Sequence, residues 1–265
     1  MNRNKWLLVI AFVISCVRSY AQVTSWPNIN VEAKPATRWW WMGSAVDKEN
    51  LTRNIKSYAE AGMGTLEITP IYGVQGNDAN EIPFLSPQWM EMLRHTQSEA
   101  HRNGMQIDMN TGTGWPFGSP EVSLEDAASC LLISEYKLKG GERLRVKVEP
   151  EDKTQKAHAV LSRLMGFSDK GICLDLTLKV DSKGMLNWKA SKGNWQLIAA
   201  FTGKTLQKVK RAAPGGEGYV MDHFSEKSVE NYLARFDKAF SNSKVSYPHN
   251  FFNDSYEVYK ADWTP

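Results

Sequence analysis

Two capped amphipathic helices set between three short strand-like runs constrain this chain more than any other feature of its sequence. The run "PATRWWWMGS" precedes "DKENLTRNIKSYAEAG", where Asp47 is the expected N-cap, Leu51, Ile55, Tyr58 and Ala59 share one face, and Gly62 is the stop. "GTLEIT" follows as a strand, then a long loop, "PIYGVQGNDANEIPFL". Ser86 and Pro87 open a second helix, "SPQWMEMLRHTQSEAHRNG", with cap and first-turn proline in the order a helix start requires. In "MQIDMN", Met105, Ile107 and Met109 alternate with Gln106, Asp108 and Asn110. This order predicts a parallel sheet with crossover helices.

From about residue 121 to 214 the texture changes. "LLISEYKLKGGERLRVKVE" holds two alternating runs around Gly140 and Gly141 and predicts a hairpin. "AVLSRLMGF", "ICLDLTLKV", "MLNWKA" and "NWQLIAAFTGK" predict further short strands, so this stretch is an antiparallel module spliced into the α/β pattern. Lys137, Lys139, Arg143, Arg145 and Lys147 fall at alternate positions and predict one solvated face. "PGGEG" lacks the lysine and spacing of a phosphate loop and is taken as a linker.

The first pattern then resumes. "YVMDHF" is a strand, and "SEKSVENYLARFDKAF" is a helix capped by Ser225 with Val229, Tyr232, Leu233, Phe236 and Phe240 inward. "NFFND" is the next strand. Five parallel strands are expected, near Trp39–Trp41, Leu66–Ile68, Ile107–Met109, Tyr219–Met221 and Phe251–Phe252. A (β/α)8 barrel has eight. The expected fold is therefore α/β, a partial barrel of about five strands with an inserted β-module. An open doubly wound sheet is the alternative, without a glycine fingerprint to support it.

The expected organisation is a signal peptide at 1–21, three β/α units at 22–120, the inserted module at 121–214 and a truncated continuation of the barrel at 215–265. Arg3 and Lys5 precede "WLLVIAFVI", which is too short to span a bilayer, and "SYA" before Gln22 fits cleavage after Ala21. "VISC" offers a rival, with Cys16 as a lipidated first residue. Both readings export the protein to the periplasm or cell surface, with no transmembrane segment after cleavage. Cys130 and Cys173 permit one disulfide without demanding it, and no metal-ligand spacing is present. A net charge of +3 is too small to imply nucleic acid.

In β/α barrels the C-terminal strand ends converge on one mouth. The first strand ends in Trp39, Trp40 and Trp41, and the second carries Glu67 and runs into Tyr72. The third presents Asp108, Asn110 and Trp115 on the loop "DMNTGTGWPFGSP", whose glycines imply close backbone approach to something. The fourth ends in Asp222 and His223, and the fifth in Asn253 and Asp254 with Glu257 beyond. Carboxylates among tryptophan faces suit carbohydrate binding and glycoside cleavage, which needs one carboxyl group to protonate the leaving oxygen and another to attack or activate water. Each of these residues also has a plain structural reading, as an ion-pair partner, a turn former or a core ring. A metal-dependent hydrolase of another barrel family is the weaker class, because His95, His101, His158, His223 and His249 are few and two of them fall within one helix.

"RWWWMGSAV", "GMGTLEITPIYG", "LSPQWMEMLRHTQSEAHRNGMQIDMNTGTGWPFGSP" and "NDSYEVYKADWTP", in this order, resemble glycoside hydrolase family 106, the bacterial α-L-rhamnosidases. The resemblance implies an N-terminal β/α barrel with β-modules, and inverting hydrolysis of terminal α-L-rhamnosyl linkages in oligosaccharides or polysaccharides. It further implies a Ca2+ ion that helps to hold the sugar. Carried over by position, Glu257 matches the general acid and Asp254 its companion. The family's general base lies downstream of this motif, so no residue here matches it. Ser119 departs from the glycine expected after "GTGWPFG", which would narrow the mouth. Family members are several times longer, so these residues alone are expected to be inactive. A carbohydrate-binding or inert portion without catalysis is the alternative.

Overall fold

A computed structural model describes residues 27–265. The expected signal peptide at 1–21 and Cys16 lie outside the described residues. Strand β1 (Ala36–Met42), helix α1 (Lys48–Glu60), β2 (Thr65–Ile71), helix α2 (Pro87–Arg102) and β3 (Gln106–Asn110) follow in the expected order. Then come β4 (Gly118–Ser119), β5 (Ser129–Lys139), β6 (Arg143–Lys147), β7 (Val160–Ser168) and β8 (Cys173–Asp175). Strands β9 (Met185–Lys189), β10 (Asn194–Lys204) and β11 (Tyr219–Val220), helix α3 (Glu226–Ser243) and β12 (Phe251–Phe252) complete the chain. All three expected caps form. Asp47 accepts from Asn50 N–H, Ser86 from Trp89 N–H and Ser225 from Ser228 N–H, each satisfying one amide that a helix start leaves unpaired.

The fold is mixed α/β. Four strands, in the order β1-β2-β3-β12, form a sheet whose pairings are all parallel. The expectation of five parallel strands is thus corrected to four. Tyr219 and Val220 pair antiparallel with Ser119 and Gly118 instead. Their surroundings explain the choice: Val220 N–H donates to Gln207, Met221 N–H to Phe117 O, and Ala128 N–H to Val220 O, so this backbone is used up by neighbouring loops.

The β-module contains an antiparallel sheet, β5-β10-β7-β8, and a separate pair, β6-β9. The expected hairpin about Gly140 and Gly141 is corrected as well. The chain does turn there, with Gly141 at φ 86° and Glu142 N–H donating to Lys139 O, but β5 and β6 part company. Strand β10 matches β5 along its whole length, from Asn194↔Lys139 to Lys204↔Ser129, and this long ladder outcompetes the short hairpin. The five basic residues are exposed as expected, though divided between two sheets.

Helices α1, α2 and α3 cover one face of the parallel sheet. Leu51, Ile55, Trp89, Met90, Leu93, Tyr232, Phe236 and Phe240 meet Trp39, Trp41, Leu66, Ile68, Ile107 and Met109 in one core. Leu233, expected inward, is exposed. A second core, built around Leu164, Leu186, Trp195, Leu197 and Phe201, fills the β-module.

Candidate functional site

Strand alternation places Arg38, Glu67 and Asp108 side by side on the sheet face turned away from the helices. Arg38 Nη2 donates to Asp254 Oδ1 at 2.8 Å, and Arg38 Nε lies 3.4 Å from Glu67 Oε1, which also accepts from Thr69 Oγ1 at 2.8 Å. The guanidinium stands 5.3 Å from the centre of the Phe252 ring. These contacts have a geometric meaning. Strands β1 and β12 are the two edges of the sheet, about 14 Å apart if four strands lay flat. Side chains from both edges meet, so the sheet is curled and its polar face is concave.

One step further along the same face come Trp40 and Asn110. The three tryptophans divide. Trp41 is 1% exposed and packs 5.6 Å from Trp89, and Trp39 is buried edge-on to it, whereas the Trp40 ring is 51% exposed. Asn110 is 0% exposed, and neither Oδ1 nor Nδ2 meets a partner among the described residues. Asp108 is engaged locally: its Oδ1 accepts from Asn250 N–H at 2.9 Å and lies 3.0 Å from His249 Nδ1, which fixes the start of β12.

The glycine-rich loop does approach a backbone closely, and that backbone is the chain's own. A Cβ at Gly114 would strike Lys210 O, and one at Gly118 would strike Tyr219 O. Gly114 also sits at φ 53°, where side chains are strained. Trp115 and Lys210 exchange both backbone hydrogen bonds, at 3.0 and 3.1 Å. Half-buried Trp115 is thereby held beside Arg211, whose guanidinium lies 5.7 Å from the Trp115 ring and 5.3 Å from that of Tyr72. Ser119 is buried, and its hydroxyl accepts from Glu121 N–H at 3.3 Å.

Asp222 is buried and accepts from Phe224 N–H and from the Thr264 hydroxyl. His223 beside it meets the Tyr256 ring at 4.9 Å, and neither ring nitrogen has a hydrogen-bond partner among the described residues. Burial holds its pKa below the ordinary histidine value, and the neighbouring Met221 backbone and the charge of Asp222 oppose this.

The expected catalytic pair stands on a segment without regular structure after β12. Asp254 joins the Arg38 and Glu67 cluster, while the Glu257 side chain is exposed. Gln207 holds the Glu257 carbonyl, Asp262 accepts from Leu131 N–H at the edge of β5, and Trp263 Nε1 donates to Thr202 Oγ1. The structure therefore gathers Asp254 with the polar face, and Asp222 and His223 with the 256–264 segment. It ties Asp108 to β12. Arg38 went unnoticed in the sequence because it precedes three tryptophans, although an arginine level with Glu67 on a neighbouring strand was a usable signal.

Calcium fits poorly on these residues. Among the described residues no three His, Cys, Asp or Glu side chains converge on a metal position. Glu67 and Asp254 neutralise Arg38, and Asp108 serves β12.

A protein from Formosa agariphila, provisionally described as a beta-glucuronidase, is 26% identical over 275 residues, covering 88% of this chain. A solved rhamnosidase from Novosphingobium sp. PP1Y superposes with a TM-score of 0.71 over 90% of the chain at 14% identity, a likeness of fold. The chain spans 23% of the first protein and 40% of the second. The family model described as alpha-L-rhamnosidase matches residues 27–171 and 153–265, every described position. The chain belongs to glycoside hydrolase family 106.

Proposed function

We propose that these residues form the sugar-facing part of an exported enzyme that hydrolyses terminal α-L-rhamnosyl linkages in rhamnose-containing oligosaccharides or polysaccharides, with inversion. The curled sheet is then a section of a β/α barrel, its concave face lining the mouth, and 121–214 is a module inserted into it. One observation carries the reading. An exposed Trp40 ring lies on the same concave face that the Asp254–Glu257 segment meets through Arg38. A sugar ring stacks on such an indole.

In this mechanism Glu257 donates its proton to the leaving oxygen as the glycosidic bond breaks. Water attacks the anomeric carbon from the opposite face, giving up a proton to a base outside the described residues. Asp254 keeps Arg38 neutralised and fixes the start of the segment. Calcium is a proposal for the complete protein only.

Replacing Glu257 with Gln in the complete protein tests the assignment. Hydrolysis of a rhamnoside with a poor leaving group should fall by about 100-fold or more, and an activated aryl rhamnoside should suffer much less. Equal rates for variant and parent on both substrates overturn it. Carbohydrate binding without hydrolysis is the second reading, favoured by the neutralisation of Asp254. Rhamnoside binding by a complete protein with no turnover would establish that reading instead.

A further inference from the structure

The thirteen residues from Asn253 to Pro265 contain no helix or strand. Their own backbone supplies little order beyond the contacts Val258 N–H to Tyr256 O and Ala261 N–H to Val258 O. Whatever fixes Glu257 must come from elsewhere in the chain. The nearest anchor is Gln207, in the linker from β10 to β11. Its Nε2 donates to Glu257 O at 2.8 Å, and its Oε1 accepts from Tyr259 N–H at 2.7 Å. A primary amide carries a donor and an acceptor side by side, as a peptide edge does, so one side chain pairs with the backbone on both sides of Val258.

Gln207 is itself held. Its N–H reaches Thr205 Oγ1 at 3.3 Å, and its carbonyl accepts from Val220 N–H at 2.9 Å. The next residues of the linker extend the grip: Lys210 Nζ stands 4.5 Å over the Tyr259 ring, and Arg211 lies against Tyr72 and Trp115. We propose that Gln207 is a positioning residue that sets the direction in which Glu257 projects. This rests on the reading of Glu257 as proton donor. Loss of the bridge would release the segment between its anchors at Asp254 and Asp262, and displacement of a reacting group by about 1 Å can cost about 100-fold in rate.

The test compares Gln207→Ala, Gln207→Glu and Glu257→Gln in the complete protein. Each is assayed on a poor-leaving-group rhamnoside and an activated aryl rhamnoside, alongside amide hydrogen exchange at Tyr259. Gln207→Ala should lower kcat on the poor substrate by about 10- to 100-fold, leave KM within about twofold, and spare the activated substrate. Tyr259 N–H should exchange faster. Gln207→Glu keeps the acceptor for Tyr259 but loses the donor to Glu257 O, so it should fall between parent and alanine. A proportional loss on both substrates, or no loss, overturns positioning if Glu257→Gln discriminates between them. If Glu257→Gln does not discriminate, the proton-donor assignment falls and positioning falls with it. Unchanged Tyr259 exchange in Gln207→Ala overturns the bridge itself.

Discussion

Arg38 and Asp254 form a 2.8 Å ion pair across the concave face, although one sits on the first edge strand of the sheet and the other follows the last. The pair, with Glu67 on its other side, ties the two edges together. Arg38→Met should leave two partly buried carboxylates without a counter-charge. It is expected to lower unfolding stability by about 1–3 kcal/mol, with Arg38→Lys costing less. Urea titration checks this, and an unchanged midpoint for Arg38→Met would refute the tie.

Adjacent tryptophans should behave in opposite ways. Trp41→Ala empties a fully buried site and should cost about 3–5 kcal/mol. Trp40→Ala removes an exposed ring and should stay within about 0.5 kcal/mol while weakening rhamnoside binding in the complete protein. Thermal unfolding and titration calorimetry separate the two. Equal destabilisation by both would contradict the division of the cluster between core and mouth.

Gly114→Ala should destabilise by about 1–3 kcal/mol, because the added carbon strikes Lys210 O and the residue holds φ 53°. Gly76→Ala, also at positive φ but with open space around it, should cost less. Chemical denaturation of both variants provides the measurement, and the opposite ranking would show that the loop does not depend on its seat against the linker.

His223 makes a pH prediction. Its folded pKa is depressed by burial, so the unfolded chain binds more protons as pH falls through the ordinary value of 6.5. Stability from this group is complete above that value and declines below it, down through the lowered folded pKa. His223→Gln should therefore flatten the loss of stability between about pH 7.5 and pH 5. Identical pH profiles for parent and variant would rule the effect out.

Much of the fold was legible because its signals are local. Asp47, Ser86 and Ser225 cap helices through bonds to residues three positions away, and a cap reads the same in any tertiary setting. Partner choice in sheets is not local. Tyr219 and Val220 look identical in sequence whether a parallel strand or Gly118 and Ser119 lie beside them. Gly140 and Gly141 signalled a real turn, but the strands flanking it found partners far along the chain, as in Lys139↔Asn194 and Arg143↔Lys189. The site divides along the same line. Trp40 and Asp254 stood out by residue type, whereas Arg38 and Gln207 matter through contacts that only the folded chain creates.

Ser129 and Lys204, the first residue of β5 and the last of β10, face each other across one rung of the antiparallel ladder. All the chain between them leaves and returns at points about 5 Å apart. To its host, this long excursion is equivalent to a tight loop, and the entropy of closing a loop grows only slowly with its length. An engineer can graft another β-unit at the same rung, provided the first residues of β5 and the last of β10 remain to dock Asp262 and Trp263.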